Sequence, residues 1–126
     1  MKRYLFSLAK TALGGWLLGW IVAYFTFLIP GKKLIETETI IAFHHPQPAY
    51  PLHILILPRA NYQNLTDLPT EDRQFEYDLF QAVNQLVGKY DLTSKGYRMI
   101  VNGGKSQEVP HLHFHLISEG KMVESS

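Results

Sequence analysis

The chain has 126 residues, 46% of them hydrophobic, with 12 lysines and arginines against 11 aspartates and glutamates, a formal charge of +1. That length allows one domain with an appendage, and so small a charge leaves no electrostatic footprint for nucleic acid. With no cysteine, disulfides, thiolate nucleophiles and cysteine metal sites are excluded.

Residues 11–31, TALGGWLLGWIVAYFTFLIPG, carry no charge. At about 1.5 Å per helical residue they would cover the roughly 30 Å hydrocarbon core of a bilayer. Residues 1–33 are therefore expected to form a membrane anchor, a single transmembrane helix, and residues 34–126 a separate domain. The run is too long for a signal peptide and ends in Ile29-Pro30-Gly31-Lys32-Lys33, without a small-residue cleavage pattern. Trp16, Trp20 and Tyr24 form one stripe, and Gly15 and Gly19 have the spacing that lets two helices pack closely. Lys2, Arg3 and Lys10 precede the span and Lys32 and Lys33 follow it. The expected localisation is thus a single-pass membrane protein, with the side of its domain left open.

Residues 34–37 and 38–43 are largely β-branched and apolar and read as a hairpin, with the polar stretch 36–38 as its turn. Residues 44–51, HHPQPAYP, cannot continue a central strand because their prolines remove ladder donors. They form a loop, where ligand contacts concentrate. Residues 52–57, LHILIL, are a third strand, apolar enough to be buried on both faces, with His53 as its polar exception.

A polar loop over 61–66 leads to Thr70, the expected N-cap of a helix, with Glu71 and Asp72 placed well against its dipole. Phe75, Leu79, Val83, Leu86, Val87 and Tyr90 recur at steps of three and four, so the helix is expected to reach about Tyr90 and bury one stripe. Residues 97–102 are a fourth strand. The connection Asn102-Gly103-Gly104-Lys105-Ser106-Gln107 allows close backbone approach to an anion.

The fifth strand, PHLHFHLI over 110–117, alternates histidine with large apolar residues. In a strand, side chains at i, i+2 and i+4 share a face. His111, His113 and His115 should therefore point one way and Leu112, Phe114 and Leu116 into the core. The outer imidazoles would stand roughly 13 Å apart, too far to share one ion with bonds near 2 Å. A zinc centre would need a histidine from elsewhere and is the secondary reading. A row of imidazoles beside a loop with available amides is the composition of a phosphate site.

These residues resemble the histidine-triad (HIT) family of nucleotide-binding hydrolases and transferases, and within it the Hint-like branch of nucleoside phosphoramidate hydrolases. The resemblance covers residues 34–120. His111-Leu112-His113-Phe114-His115-Leu116-Ile117 is the family's H-φ-H-φ-H-φ-φ signature. Residues 96–102, GYRMIVN, and the stretch from Phe43-His44 through 53–58 match the branch in type and spacing.

The resemblance implies an α+β fold, a five-stranded antiparallel sheet with a packed helix, usually paired into a homodimer. It implies His113 as nucleophile on the phosphorus of a purine nucleoside monophosphate derivative, a phosphoramidate or an ester, giving a nucleotidyl-histidine that water hydrolyses. It also implies His115 and Asn102 on the phosphate oxygens, His53 and His111 orienting the other imidazoles, and Phe43, His44, His45 and Gln107 at the substrate, with no cofactor and no metal. Two positions depart from the pattern: His45 stands where the family has a ribose-gripping aspartate, and Glu108 where a serine often assists the leaving group. The connection from Asn102 to His111 is also shorter than usual. These departures suggest an alternative, a non-catalytic HIT-fold ligand-binding or scaffolding subunit of a membrane assembly.

Overall fold

In the computed structural model, which describes residues 33–122, β1 (Lys33–Glu36), β2 (Ile40–His44), β3 (Leu52–Pro58), α1 (Gln74–Lys89), α2 (Leu92–Lys95), β4 (Arg98–Val101) and β5 (Phe114–Ser118) follow in chain order. Short 3-10 turns lie at Leu65–Asp67 and Gly104–Ser106. The strands form one five-stranded sheet in the order β1-β2-β3-β5-β4, and every neighbouring pair is antiparallel. This is the α+β sheet-and-helix fold expected from the sequence.

The alternation in β3 and β5 sorts their residues between two faces. Ile54, Ile56, Phe114 and Leu116 join Ile40 and Ala42 in a core covered by Phe75, Leu79, Ala82, Val83 and Leu86 of α1. Each such large side chain contributes about 1.5–3 kcal/mol on burial, so this face holds the domain together. The apolar spacing of α1 is the stripe read from the sequence.

Three boundaries differ from expectation. β2 starts at Ile40 because the Thr37 hydroxyl accepts the Thr39 and Ile40 N–H groups, each at 3.1 Å, and makes those residues a turn. Asp78 of α1 accepts the Thr39 hydroxyl at 2.6 Å and fastens that turn to the helix. The helix starts at Gln74 and not after Thr70, since the Asp72 carboxylate accepts the Gln74 N–H at 3.1 Å. The unexpected α2 follows a left-handed Asp91 (φ 55°) and buries Leu92; Gly96, at φ 85°, then turns the chain into β4.

The histidine segment also differs. Strand pairing begins only at Phe114, opposite Ile56 and Val101, so His111 and His113 precede β5 instead of lying on it. The Leu112 N–H bonds to the Tyr62 carbonyl at 2.9 Å and not to a neighbouring strand, which holds the segment to a loop. Leu112 nevertheless enters the core as the alternation predicts.

The single-pass membrane localisation is corrected. Among the described residues no helix is long and apolar enough to cross a membrane. The longest described helix, α1, has 16 residues, about 24 Å against a core of roughly 30 Å, and it carries Glu76, Asp78 and Lys89. The anchor and transmembrane helix expected over 1–33 fall on residues outside those described, except Lys33, which opens β1.

Candidate active site

Strand register sets the site on the sheet face opposite α1. Phe43 pairs with Leu55, Leu55 with His115, and His115 with Ile100, giving one row across four strands. In the adjacent row His53 pairs with Ile117, and the His45 N–H bonds to the His53 carbonyl at 2.7 Å. His53 and His115 are thus diagonal neighbours, within reach of long side chains across a pair. Their rings lie 5.1 Å apart by centroid, His45 lies 4.4 Å from His53, and His113 meets His115 edge-on at 5.0 Å. Tyr50 closes on His53 from the side at 5.5 Å.

Backbone groups fix which nitrogen of each ring carries the proton. The Ala49 N–H donates to Nδ1 of His53 at 3.1 Å, so that nitrogen accepts and the His53 proton sits on Nε2. Nε2 of His53 lies 2.9 Å from Nδ1 of His115 and donates to it, which leaves the His115 proton on Nε2. His113 is set the other way. Its Nδ1 lies 2.7 Å from the His111 carbonyl, an acceptor, so Nδ1 donates and the neutral ring keeps its lone pair on Nε2. A lone pair and an N–H donor on adjacent imidazoles are what attack on phosphorus with charge stabilisation requires.

Burial keeps His53 and His115 uncharged. Desolvation first, then the neighbouring His113, His53 and His45, push the His115 pKa down to about 4. Burial also lowers His53. A protonated His53 would turn its Nδ1–H against the Ala49 N–H, so the neutral form is also the one the geometry demands.

The HIT domain family model matches residues 26–122. The chain belongs to the HIT family. It is 39% identical over 93 residues to an uncharacterized 13.2 kDa HIT-like protein of Azospirillum brasilense, covering 71% of this chain and 76% of that one. Among solved structures it is similar to a HIT family hydrolase from Legionella pneumophila, with TM-score 0.67, 28% identity, and 82% and 92% of the two chains covered. It is also similar to a histidine triad nucleotide-binding protein from Candida albicans, with TM-score 0.65, 27% identity, and 87% and 80% covered.

Of the residues singled out from the HIT signature, His113, His115, His53, His45 and Phe43 share this face. Asn102 follows Val101, the last paired residue of β4, and lies beyond the ladder as His113 does. His44 does not share the face. It pairs with Ile54 of the helix-side face, and its Nε2 lies 3.3 Å from the Tyr90 hydroxyl at the end of α1; burial and Lys89 lower its pKa. His111 is 4% exposed, with neither ring nitrogen hydrogen-bonded. Burial, then the nearby His113, pushes its pKa down against the opposing pull of the Pro58 carbonyl. Gln107 directs its amide at the Gln63 and Val109 carbonyls, and Glu108 is exposed. Among the described residues no three histidines or carboxylates are arranged to hold a metal ion.

Sequence reading missed two backbone groups that decide the HIT-site chemistry, the Ala49 amide and the His111 carbonyl. Main-chain donors and acceptors have no letter of their own. The available hint was the proline-rich loop before His53, which bends the chain until Ala49 meets the ring four residues on.

Proposed function

We propose that the protein is a histidine-triad hydrolase that cleaves phosphoramidates or esters of purine nucleoside monophosphates through a nucleotidyl-histidine at His113. The observation that carries this reading is the opposed tautomers: Nδ1–H of His113 anchored on the His111 carbonyl, beside a His115 that presents Nε2–H. Nε2 of His113 attacks the phosphorus, the phosphorus bond to the amine or alcohol breaks, and the leaving group takes a proton from solvent, which the second step returns. Water then attacks the same phosphorus, releasing the monophosphate and restoring the neutral ring. His115 and Asn102 donate to the phosphate oxygens as charge redistributes. His53 holds His115 in its donor tautomer, a positioning role. Phe43 and His45 lie on the nucleoside side. The Legionella and Candida relatives, a hydrolase and a nucleotide-binding protein by name, support the same class.

β4 is the last strand of the sheet; Tyr97 just before it and Val101 at its end are both exposed. We propose that a second copy pairs along this edge to make a homodimer, since a small core gains from association; sedimentation of the purified protein tests it.

The deciding experiment incubates the protein with adenosine 5′-phosphoramidate, measures AMP release, and looks by mass spectrometry for an adduct quenched in alkaline denaturant, where the P–N bond survives. Release and an adduct mapped to His113 are expected. No release and no adduct with any nucleoside phosphoramidate or ester ends the enzyme reading. Calorimetry with AMP then decides whether the ligand-binding alternative, favoured by the imidazole of His45 at the ribose position, takes its place.

A further inference from the structure

The segment carrying the nucleophile is not a strand, so something other than a β-ladder must hold it. The Gln107 side-chain amide donates to the Gln63 carbonyl at 2.5 Å and to the Val109 carbonyl at 3.0 Å. The Val109 carbonyl also accepts the His111 N–H at 2.8 Å, closing a tight turn over Pro110. Two residues on, the His111 carbonyl accepts Nδ1–H of His113 at 2.7 Å. Beside this path the Leu112 N–H bonds to the Tyr62 carbonyl at 2.9 Å, so residues 62–63 form a rail against which 107–113 is clamped.

From this we infer that Gln107 is a positioning residue for the reaction: its amide ties the 61–64 loop to the turn at Val109, and so holds the His111 carbonyl where it fixes the tautomer of His113. Both N–H groups of the amide are engaged by main-chain carbonyls, which leaves neither to donate to a phosphate. The sequence resemblance places this glutamine at the substrate; the geometry assigns it to the frame behind the nucleophile. No apolar residue replaces it, because both carbonyls would lose their donor together, the Val109 one in a part-buried place. A glutamate would set a carboxylate against them. The inference rests on His113 being the nucleophile, but its first readout does not depend on turnover.

The test compares full-length wild type with Gln107→Met, which keeps the length of the side chain and removes both donors. Nitrogen-15 shifts of the His113 ring, read in protein without substrate, report the tautomer. Wild type is expected to be almost wholly Nδ1–H, and Gln107→Met to gain a resolved Nε2–H population. Adduct formation should fall about tenfold, the size of one lost hydrogen bond, while AMP affinity stays within about threefold. If Gln107→Met does not fold, Gln107→Asn, one methylene too short to bridge both carbonyls, carries the same readouts. An unchanged His113 tautomer in the folded variant overturns the inference, even if turnover falls. A shifted tautomer in a protein that cleaves nothing upholds the clamp and removes only the hydrolase reading.

Discussion

The two faces of this sheet are built by the same strands and obey opposite rules. On the α1 side, Ile54, Ile56, Phe114 and Leu116 are at most 5% exposed and share one core with apolar residues of the helix. On the other side, β3 and β5 contribute His53, buried, and His115, half-buried, imidazoles whose hydrogen-bonding geometry depends on staying neutral. One face supplies stability through volume. The other consumes some of it, because a buried titratable ring forgoes water that the unfolded chain offers. Since side chains alternate strictly, a substitution one residue along either strand should change category altogether, from chemistry to stability.

The sharpest contrast is between His113 and Leu116. His113→Ala should lower nucleotide release at least about 1,000-fold, as removing a covalent nucleophile does, and abolish the adduct, while the urea midpoint moves little. Activity above a tenth of wild type would mean that phosphorus is attacked by another group. On the core side, Leu116→Ala should cost about 2–5 kcal/mol of unfolding free energy, the transfer loss plus the cavity it leaves. Urea denaturation measures it. Folded protein from this variant should retain the His113 adduct, and if the adduct is lost with stability intact, the two faces are not separable.

Acid acts mainly on the histidine face, with His44 its one counterpart on the helix side. Because the His115 pKa in the folded chain is about 4 against an ordinary value near 6.5, the unfolded chain binds the proton first as pH falls. Stability should therefore be unaffected above about pH 7, drop as pH falls through 6.5 towards 4, and lose nothing more from this group below that. His53, His111 and His44 are lowered too and act in the same direction. The urea midpoint should be lower at pH 5 than at pH 7.5, with a smaller difference in His115→Asn. A midpoint that rises on acidification would show that these rings are charged partners and not neutral ones.

The asymmetry between the faces also explains what could be read in advance. The apolar run of β3, the period-two alternation at 112–116 and the three-four stripe of α1 are direct records of burial, so the sheet, its helix and its core residues were legible. α2 was not, because Leu92 is its one buried residue and one residue has no period. The imidazoles themselves were visible, but their arrangement was not. His111 and His113 precede the strand because Leu112 bonds to the Tyr62 carbonyl, a contact between distant loops. His44 and His45 are neighbours in sequence, yet the pleat sends His44 to Tyr90 and His45 to His53.

That last pair permits the finest test of the chemical face. His45 packs at 4.4 Å on His53 and accepts the Gln47 N–H on Nδ1 at 2.9 Å, where a carboxylate would instead accept from the two hydroxyls of a ribose. An imidazole so placed offers the sugar less acceptor capacity, so AMP and 2′-deoxy-AMP should bind within about threefold of each other, a gap of well under 1 kcal/mol. His45→Asp should raise the preference for the ribonucleotide about tenfold, the order expected for one hydrogen bond to a charged acceptor. It should do so without moving the urea midpoint at pH 7.5, because the exchange lies at the rim of the histidine face and leaves the α1 core untouched. Calorimetry with the two nucleotides reads the ratio directly. A wild type that already prefers AMP strongly would mean that the sugar is held by a residue other than the one at position 45.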